Sequence, residues 1–170
     1  MIYSLKFRSE RKGVKFVIKL LRIDHRLLHG QVAYSWYGYL GVNSILIAND
    51  RAATNDLMRT TLNLAKPPGS KLIIKSVQDA IDAIKSGKAD KYNLFIVVSN
   101  VDDAYTMASS LDCIHLVNVG GIEARADTHR FHGDSNINLS DEDERKLRKL
   151  MEMGKKVELQ MVPSETVKTL

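Results

Sequence analysis

Residues 22–31 read RIDHRLLHGQ and gather two arginines, one aspartate and two histidines into ten positions. The stretch before it, VKFVIKLLRI (14–23), is apolar and strand-like. The stretch after it, GQVAYSWYGYLG, has Val32, Trp36, Tyr39 and Leu40 at helical spacing. The titratable cluster therefore falls where a strand ends and a helix begins. A helix N-terminus presents backbone N–H groups without intrahelical partners and the positive end of the helix dipole, which together suit an anion. His29 comes directly before Gly30, a residue type that lets a backbone approach a ligand closely. Arg22 and Arg26 can neutralise oxyanions, and Asp24 can accept a ring N–H or orient an arginine. His29 thus has the surroundings of a nucleophile that accepts a phosphoryl group.

Other readings fit the same spacing. His25 and His29 are four apart and could share a metal on a helix, but no Glu follows the first and no third ligand is near in sequence. His29 could also be a loop histidine that caps or fills. Spacing alone leaves the nucleophile and the loop residue both open. Elsewhere the chemistry is sparse. His129 and His132 flank Arg130 in a polar loop and read as solvated. Cys113 precedes a strand without a cationic cluster to activate it, and His115 in that strand reads as packed. There is no GxxxxGK[ST], and VNVGG is not a GxGxxG dinucleotide fingerprint. The sequence implies no cofactor and no metal. The diglycine of VNVGG reads as a tight turn that keeps bulk off the active edge.

The elements that position the cluster follow from the alternation of apolar runs and helical stripes. SILIAND, KLIIKS, NLFIVVS, IHLVNVGG and KVELQMVP read as further strands. Between them lie DLMRTTLNLA, capped by Asn55 or Asp56, VQDAIDAIKSG, capped by Ser76, and VDDAYTMASSL. Residues 122–140 are polar and irregular, with room for a short edge strand. SDEDERKLRKLMEMG restarts a helix with Ser140 as cap, acids first and bases later. SETVKTL reads as the beginning of a terminal helix. Strand–helix units with continuously apolar strands predict an α/β fold: a three-layer α/β/α sandwich, a mostly parallel central sheet with helices on both faces, and an antiparallel edge strand. In such folds ligands bind beyond the carboxyl ends of the strands. Residues 22–30 lie there, as do Asn49-Asp50, Lys75-Ser76, Ser99-Asn100 and Gly120-Gly121.

The 170 residues are the length of one domain. No apolar run approaches the ~20 residues that cross a bilayer, and the basic N-terminus lacks the apolar core of a secretory signal. One cysteine excludes an internal disulfide framework and fits a reducing cytoplasm. The net charge of +5 is local: residues 1–26 hold eight Lys/Arg against two acids, so the other 144 residues carry about −1. We therefore expect residues 1–13 to form a basic, solvated extension and 14–170 a single domain. Nothing resembles a nucleic-acid motif, and no nucleic-acid partner is expected.

RIDHRLLHGQV resembles the signature of the enzyme IIB component of the mannose/fructose/sorbose family of the bacterial phosphoenolpyruvate-dependent sugar phosphotransferase system (PTS). ILIAND, VNVGGI and GKKVELQMVPSE follow in the family's order, so the resemblance runs from about residue 19 to 170. It implies a transferase subunit whose phosphohistidine is His29, the histidine before Gly-Gln, and not His25, which falls on a variable position. Enzyme IIA would be the phosphoryl donor. The acceptor would be a sugar of the mannose/fructose/sorbose/N-acetylgalactosamine class, taken up through membrane IIC and IID components. The protein would then be cytoplasmic and peripherally associated with the transporter, with a homodimer allowed. Arg26 would bind the phosphoryl group, with Arg22 and Asp24 in support and Gly30 and Gln31 holding its oxygens. The alternative is a non-transporting regulatory protein of the same fold, phosphorylated on His29.

Overall fold

A computed structural model describes residues 17–170; the expected basic extension, 1–13, lies outside them. The order of elements is β1 (Val17–Asp24), α1 (Gly30–Leu40), β2 (Ser44–Ala48), α2 (Asp50–Thr54), α3 (Asp56–Ala65), β3 (Lys71–Lys75), α4 (Val77–Lys85) and β4 (Asn93–Val98). Then come α5 (Val101–Ser110), β5 (Leu116–Gly121), the short β6 (His129–Arg130) and β7 (Asn138–Leu139), α6 (Asp141–Glu152) and β8 (Lys156–Leu159). Six strands form one sheet in the order β3-β2-β4-β1-β5-β8, and every pair in it is parallel. Antiparallel pairing is confined to the β6–β7 ribbon and to a single bridge between Leu159 and Lys168 beside the edge strand β8.

The alternation of side chains along each strand assigns the two cores. Leu20, Ile45, Ile47, Phe95 and Val97 face α1, α2 and α3, which contribute Ala33, Trp36, Ala52 and Leu62. Leu21, Ile23, Leu46, Ile96 and Val98 face the opposite layer, where α4, α5 and α6 bury Ile81, Ile84, Met107, Leu147 and Leu150. Full burial of each such side chain contributes about 1.5–3 kcal/mol, so the central strands β1 and β4, covered on both faces, anchor the fold. The predicted three-layer α/β/α architecture is the observed one.

The helix caps follow the sequence closely. Asn55, Ser76 and Ser140 accept the N–H groups of Met58, Asp79 and Asp143. At α6 the Asp143 carboxylate also takes the Ser140 N–H, completing a capping box. Two expectations are corrected. SETVKTL forms no helix: the Gln160 side chain donates to the carbonyls of Pro163 and Glu165, and Glu165 accepts the Met161 N–H. The segment folds back as a turn, and Lys168 bridges to Leu159. A seven-residue stretch just after Pro163 and rich in Thr and Val does not repay helix nucleation against these contacts. The diglycine is also no turn: Gly120 and Gly121 are the last residues of β5. The register there shifts, because Ile23 pairs with Val119 and Asp24 with Gly121, leaving Gly120 as a bulge.

Candidate active site

The titratable cluster sits at the carboxyl end of β1, in the middle of the sheet. Arg22 and Asp24 are two apart on the strand, so both side chains point to the face covered by α1. The chain then turns tightly. Leu27 N–H donates to the Asp24 carbonyl, and Leu27 adopts a left-handed φ of 58°. Its side chain and that of Leu28 are buried against the α1 face. This strained turn brings His29 back over Asp24, five residues earlier.

His29 is the N-cap residue of α1, with extended backbone and no side-chain cap bond. Asn49, Asn55, Ser76, Asn100 and Ser140 cap the other five described α-helices with side-chain oxygens. At α1 there is also no acidic residue in the first turn. The Gly30 and Gln31 N–H groups therefore have no intrahelical acceptor by position, and the His29 side chain is left for other work. Gly30 takes a φ of 41°, a conformation that favours glycine.

The His29 ring is about three-quarters buried (24% exposed), and its Nε2 lies 3.0 Å from Asp24 Oδ2. The same oxygen accepts from Arg22 NH2 at 2.9 Å. The other carboxylate oxygen accepts the Arg26 N–H at 3.1 Å, with Arg26 Nε 3.7 Å away. Asp24 is fully buried. Burial pushes its carboxyl up, but the hydrogen bond to His29 and the charges of Arg22 and His29 outweigh that and hold it at about 2. Asp24 is thus a carboxylate at any ordinary pH. With a carboxylate at Nε2, the neutral imidazole carries its proton on Nε2 and its lone pair on Nδ1.

Arg22 is 1% exposed. Burial pushes its guanidinium down, against the raising effect of Asp24. NH1 donates to Asn118 Oδ1 at 2.5 Å and to the Gln160 carbonyl at 3.2 Å. The guanidinium carbon lies 5.6 Å from the Trp36 ring centroid, and Trp36 Nε1 donates to the Met161 carbonyl at 2.9 Å. Arg22 therefore lies beneath Asp24, not in reach of solvent, whereas Arg26 is half-exposed (48%) beside it. His25 is exposed, and its N–H donates to the Gly121 carbonyl. Among the described residues no group of His, Cys, Asp and Glu is arranged to hold a metal ion.

All six residues singled out in sequence come together around one loop. The strand-end pairs also share one edge: Asn49 N–H donates to the Lys75 carbonyl, its side chain to Ser99, and Asp50 accepts the Val77 N–H. His129 lies apart and bonds Glu144, while His132 packs on Phe131. Asn118, Trp36 and Gln160 lie outside the site that sequence reasoning defines, whereas Gly120, which it places on the active edge, lies against the Arg22 guanidinium. Asn118 was the findable one, a lone amide inside the apolar strand LVNV.

Fold and site define an α/β domain with a carboxylate-bound histidine at the uncapped N-terminus of its first helix. The sequence matches the family described as the PTS system sorbose subfamily IIB component over residues 18–170, and the chain belongs to that family of sugar phosphotransferase-system subunits. A probable phosphotransferase enzyme IIB component of Streptococcus pyogenes is 38% identical over 62% of this chain and 65% of its own length. The mannose-specific EIIAB component of Escherichia coli (strain K12) is 28% identical over 88% of this chain and 46% of its own length. The chain thus spans somewhat under two thirds of the first and under half of the second. The solved IIBSor domain of the sorbose permease from Klebsiella pneumoniae superposes with a TM-score of 0.83 at 29% identity, covering 90% of this chain and 93% of that one. Among the described residues no helix is long and apolar enough to cross a membrane.

Proposed function

We propose that this IIB component is a phosphohistidine carrier: His29 Nδ1 takes a phosphoryl group from enzyme IIA and passes it to a sugar entering through membrane IIC and IID components. The sugar belongs to the mannose/fructose/sorbose/N-acetylgalactosamine class that the relatives' names span. The observation that carries the reading is the Nε2–Asp24 contact at 3.0 Å. It leaves Nδ1 as the nucleophile and needs no proton movement on acceptance. The P–N bond to the donor breaks as the P–Nδ1 bond forms, and the ring keeps its proton on Nε2. The phosphorylated ring gains positive character, which the permanently charged Asp24 carboxylate stabilises. Arg26 and the Gly30 and Gln31 N–H groups meet the phosphoryl oxygens. In the second transfer the sugar hydroxyl oxygen attacks phosphorus, the P–Nδ1 bond breaks, and the hydroxyl proton is lost to solvent. The uncapped helix start supports the same reading, since each of the other five described α-helices satisfies its first turn with a side chain.

The existence of an EIIAB relative supports enzyme IIA as the donor, and the carrier would work in the cytoplasm against the membrane components. The test is phosphoryl transfer to the full chain from phosphoenolpyruvate through the general phosphotransfer proteins and a mannose-family enzyme IIA. One acid-labile phosphoryl group in the intact mass, absent from His29→Ala, is the expected result. Label retained in His29→Ala would overturn the assignment. A phosphorylated protein that moves nothing to any sugar in the presence of its membrane partners would favour the regulatory alternative.

A further inference from the structure

We infer that Gly120 is a positioning residue for His29, acting through Arg22 and Asp24; the inference rests on His29 being the phosphoryl carrier. Gly120 is the bulge residue where β5 slips past β1. A Cβ built there would fall 2.0 Å from Arg22 Cζ and 2.1 Å from each terminal nitrogen. The guanidinium occupies the space that any other residue would fill. Trp36 approaches it as well, with the indole centroid 5.6 Å away.

The guanidinium could escape a methyl group only by leaving its partners. NH1 is held by Asn118 Oδ1 and the Gln160 carbonyl, and NH2 by Asp24 Oδ2. Asn118 is the direct cross-strand partner of Arg22, so the anchor comes from the same strand as the bulge. Asp24 Oδ2 is shared between Arg22 NH2 and His29 Nε2. Moving the guanidinium therefore removes the cation that orients the carboxylate, and the carboxylate in turn orients the ring. Both Arg22 and Asp24 are buried, so solvent does not step in to replace the lost partner. A bare Cα at position 120 thus fixes the nitrogen that His29 presents for attack.

The neighbouring glycine provides an internal control. A Cβ at Gly121 would meet Asp24 Oδ1 at 3.4 Å and His25 Nδ1 at 3.5 Å, ordinary contacts. Neither glycine has a left-handed φ, so alanine is sterically acceptable to both backbones and only the guanidinium distinguishes them.

The experiment compares Gly120→Ala with Gly121→Ala in the full chain. It reads the initial rate of phosphorylation by phosphorylated enzyme IIA and the 15N shifts of His29. We expect Gly120→Ala to slow transfer on the order of 10- to 100-fold, as when a group that orients a reacting histidine is lost. Its His29 signals should move from the Nε2-protonated pattern toward a tautomer mixture. Gly121→Ala should keep both the rate and the signals. In an Arg22→Met background, where there is no guanidinium to displace, Gly120→Ala should add little further loss. Equal rates and equal His29 spectra for the two alanine variants would overturn the inference, as would a full additional loss in the Arg22→Met background. Should Gly120→Ala fail to fold, Asn118→Ala tests the same clamp without added bulk. A shifted His29 spectrum with slower transfer supports it, and an unchanged spectrum and rate refute it. Failure of the carrier reading is visible separately, as a wild type that takes no phosphoryl group on His29, and the 15N spectra still read the clamp in that case.

Discussion

Replacing Asp24 with asparagine keeps the side chain's shape and removes its charge, which isolates the electrostatic core of the site. The folded protein holds the Asp24 carboxyl at about 2 against an ordinary value of 3.8. At ~1.36 kcal/mol per pKa unit, that preference for the charged form corresponds to about 2.5 kcal/mol of stability at neutral pH. The variant also leaves Arg22 as a buried cation without its ion partner, and breaking a buried pair commonly costs ~3–5 kcal/mol. The expected loss for Asp24→Asn at pH 7 is therefore between about 2.5 and ~5 kcal/mol, read by urea denaturation. The pH dependence carries a definite sign. A depressed carboxyl stabilises the fold above its unfolded value of 3.8, and that contribution is lost as pH falls from there through about 2. The carboxyl's own share of the gap between wild type and Asp24→Asn should thus be full at pH 7, and about half of it should be gone by about pH 3. A gap below ~0.5 kcal/mol at pH 7, the range of ordinary surface substitutions, would refute the reasoning. A gap just as large at pH 3 would do the same.

Three smaller perturbations test separate parts of the account. Gly30→Ala forces a side chain into the φ of 41° that opens α1; it should cost about 1 kcal/mol, a fall of roughly 2–4 °C in Tm by calorimetry. Ser140→Ala removes one arm of the capping box at α6; it should cost about 1 kcal/mol in denaturant unfolding and leave phosphoryl transfer at the wild-type rate. Trp36→Phe removes the indole N–H that donates to the Met161 carbonyl; it should cost about 1 kcal/mol and speed amide hydrogen exchange at Gln160 and Lys168, the N–H groups that tie residues 160–168 to β5 and β8.

Much of this architecture is legible in sequence because it rests on local signals. Continuous apolar runs identify buried parallel strands, and Asn55, Ser76 and Ser140 each announce a helix start that the backbone obeys. The decapeptide 22–31 is legible as a site for the same reason: its chemistry is contiguous, and the strand-to-helix junction places it. What sequence does not carry is contact between distant segments. That Arg22 lies on Gly120 depends on a one-residue slip between β1 and β5. The diglycine alone suggests a turn, because glycine's usual reason is conformational; here the reason at Gly120 is space. The terminal segment misleads in the same way. SETVKTL has no strong helical stripe to override, and the Gln160 and Glu165 side chains capture its backbone into a turn. The short helix α2 escapes a periodicity argument because five residues barely exceed one turn.

The central claim is that Asp24 holds the His29 proton on Nε2 and leaves Nδ1 to take the phosphoryl group. The most direct test labels the histidines with 15N, phosphorylates the chain through enzyme IIA, and reads the phosphorus-coupled nitrogen of His29 by NMR. Phosphorus attached to Nδ1, with Nε2 still protonated, is the predicted result. Phosphorus on Nε2 of His29, or on another residue, would contradict the account.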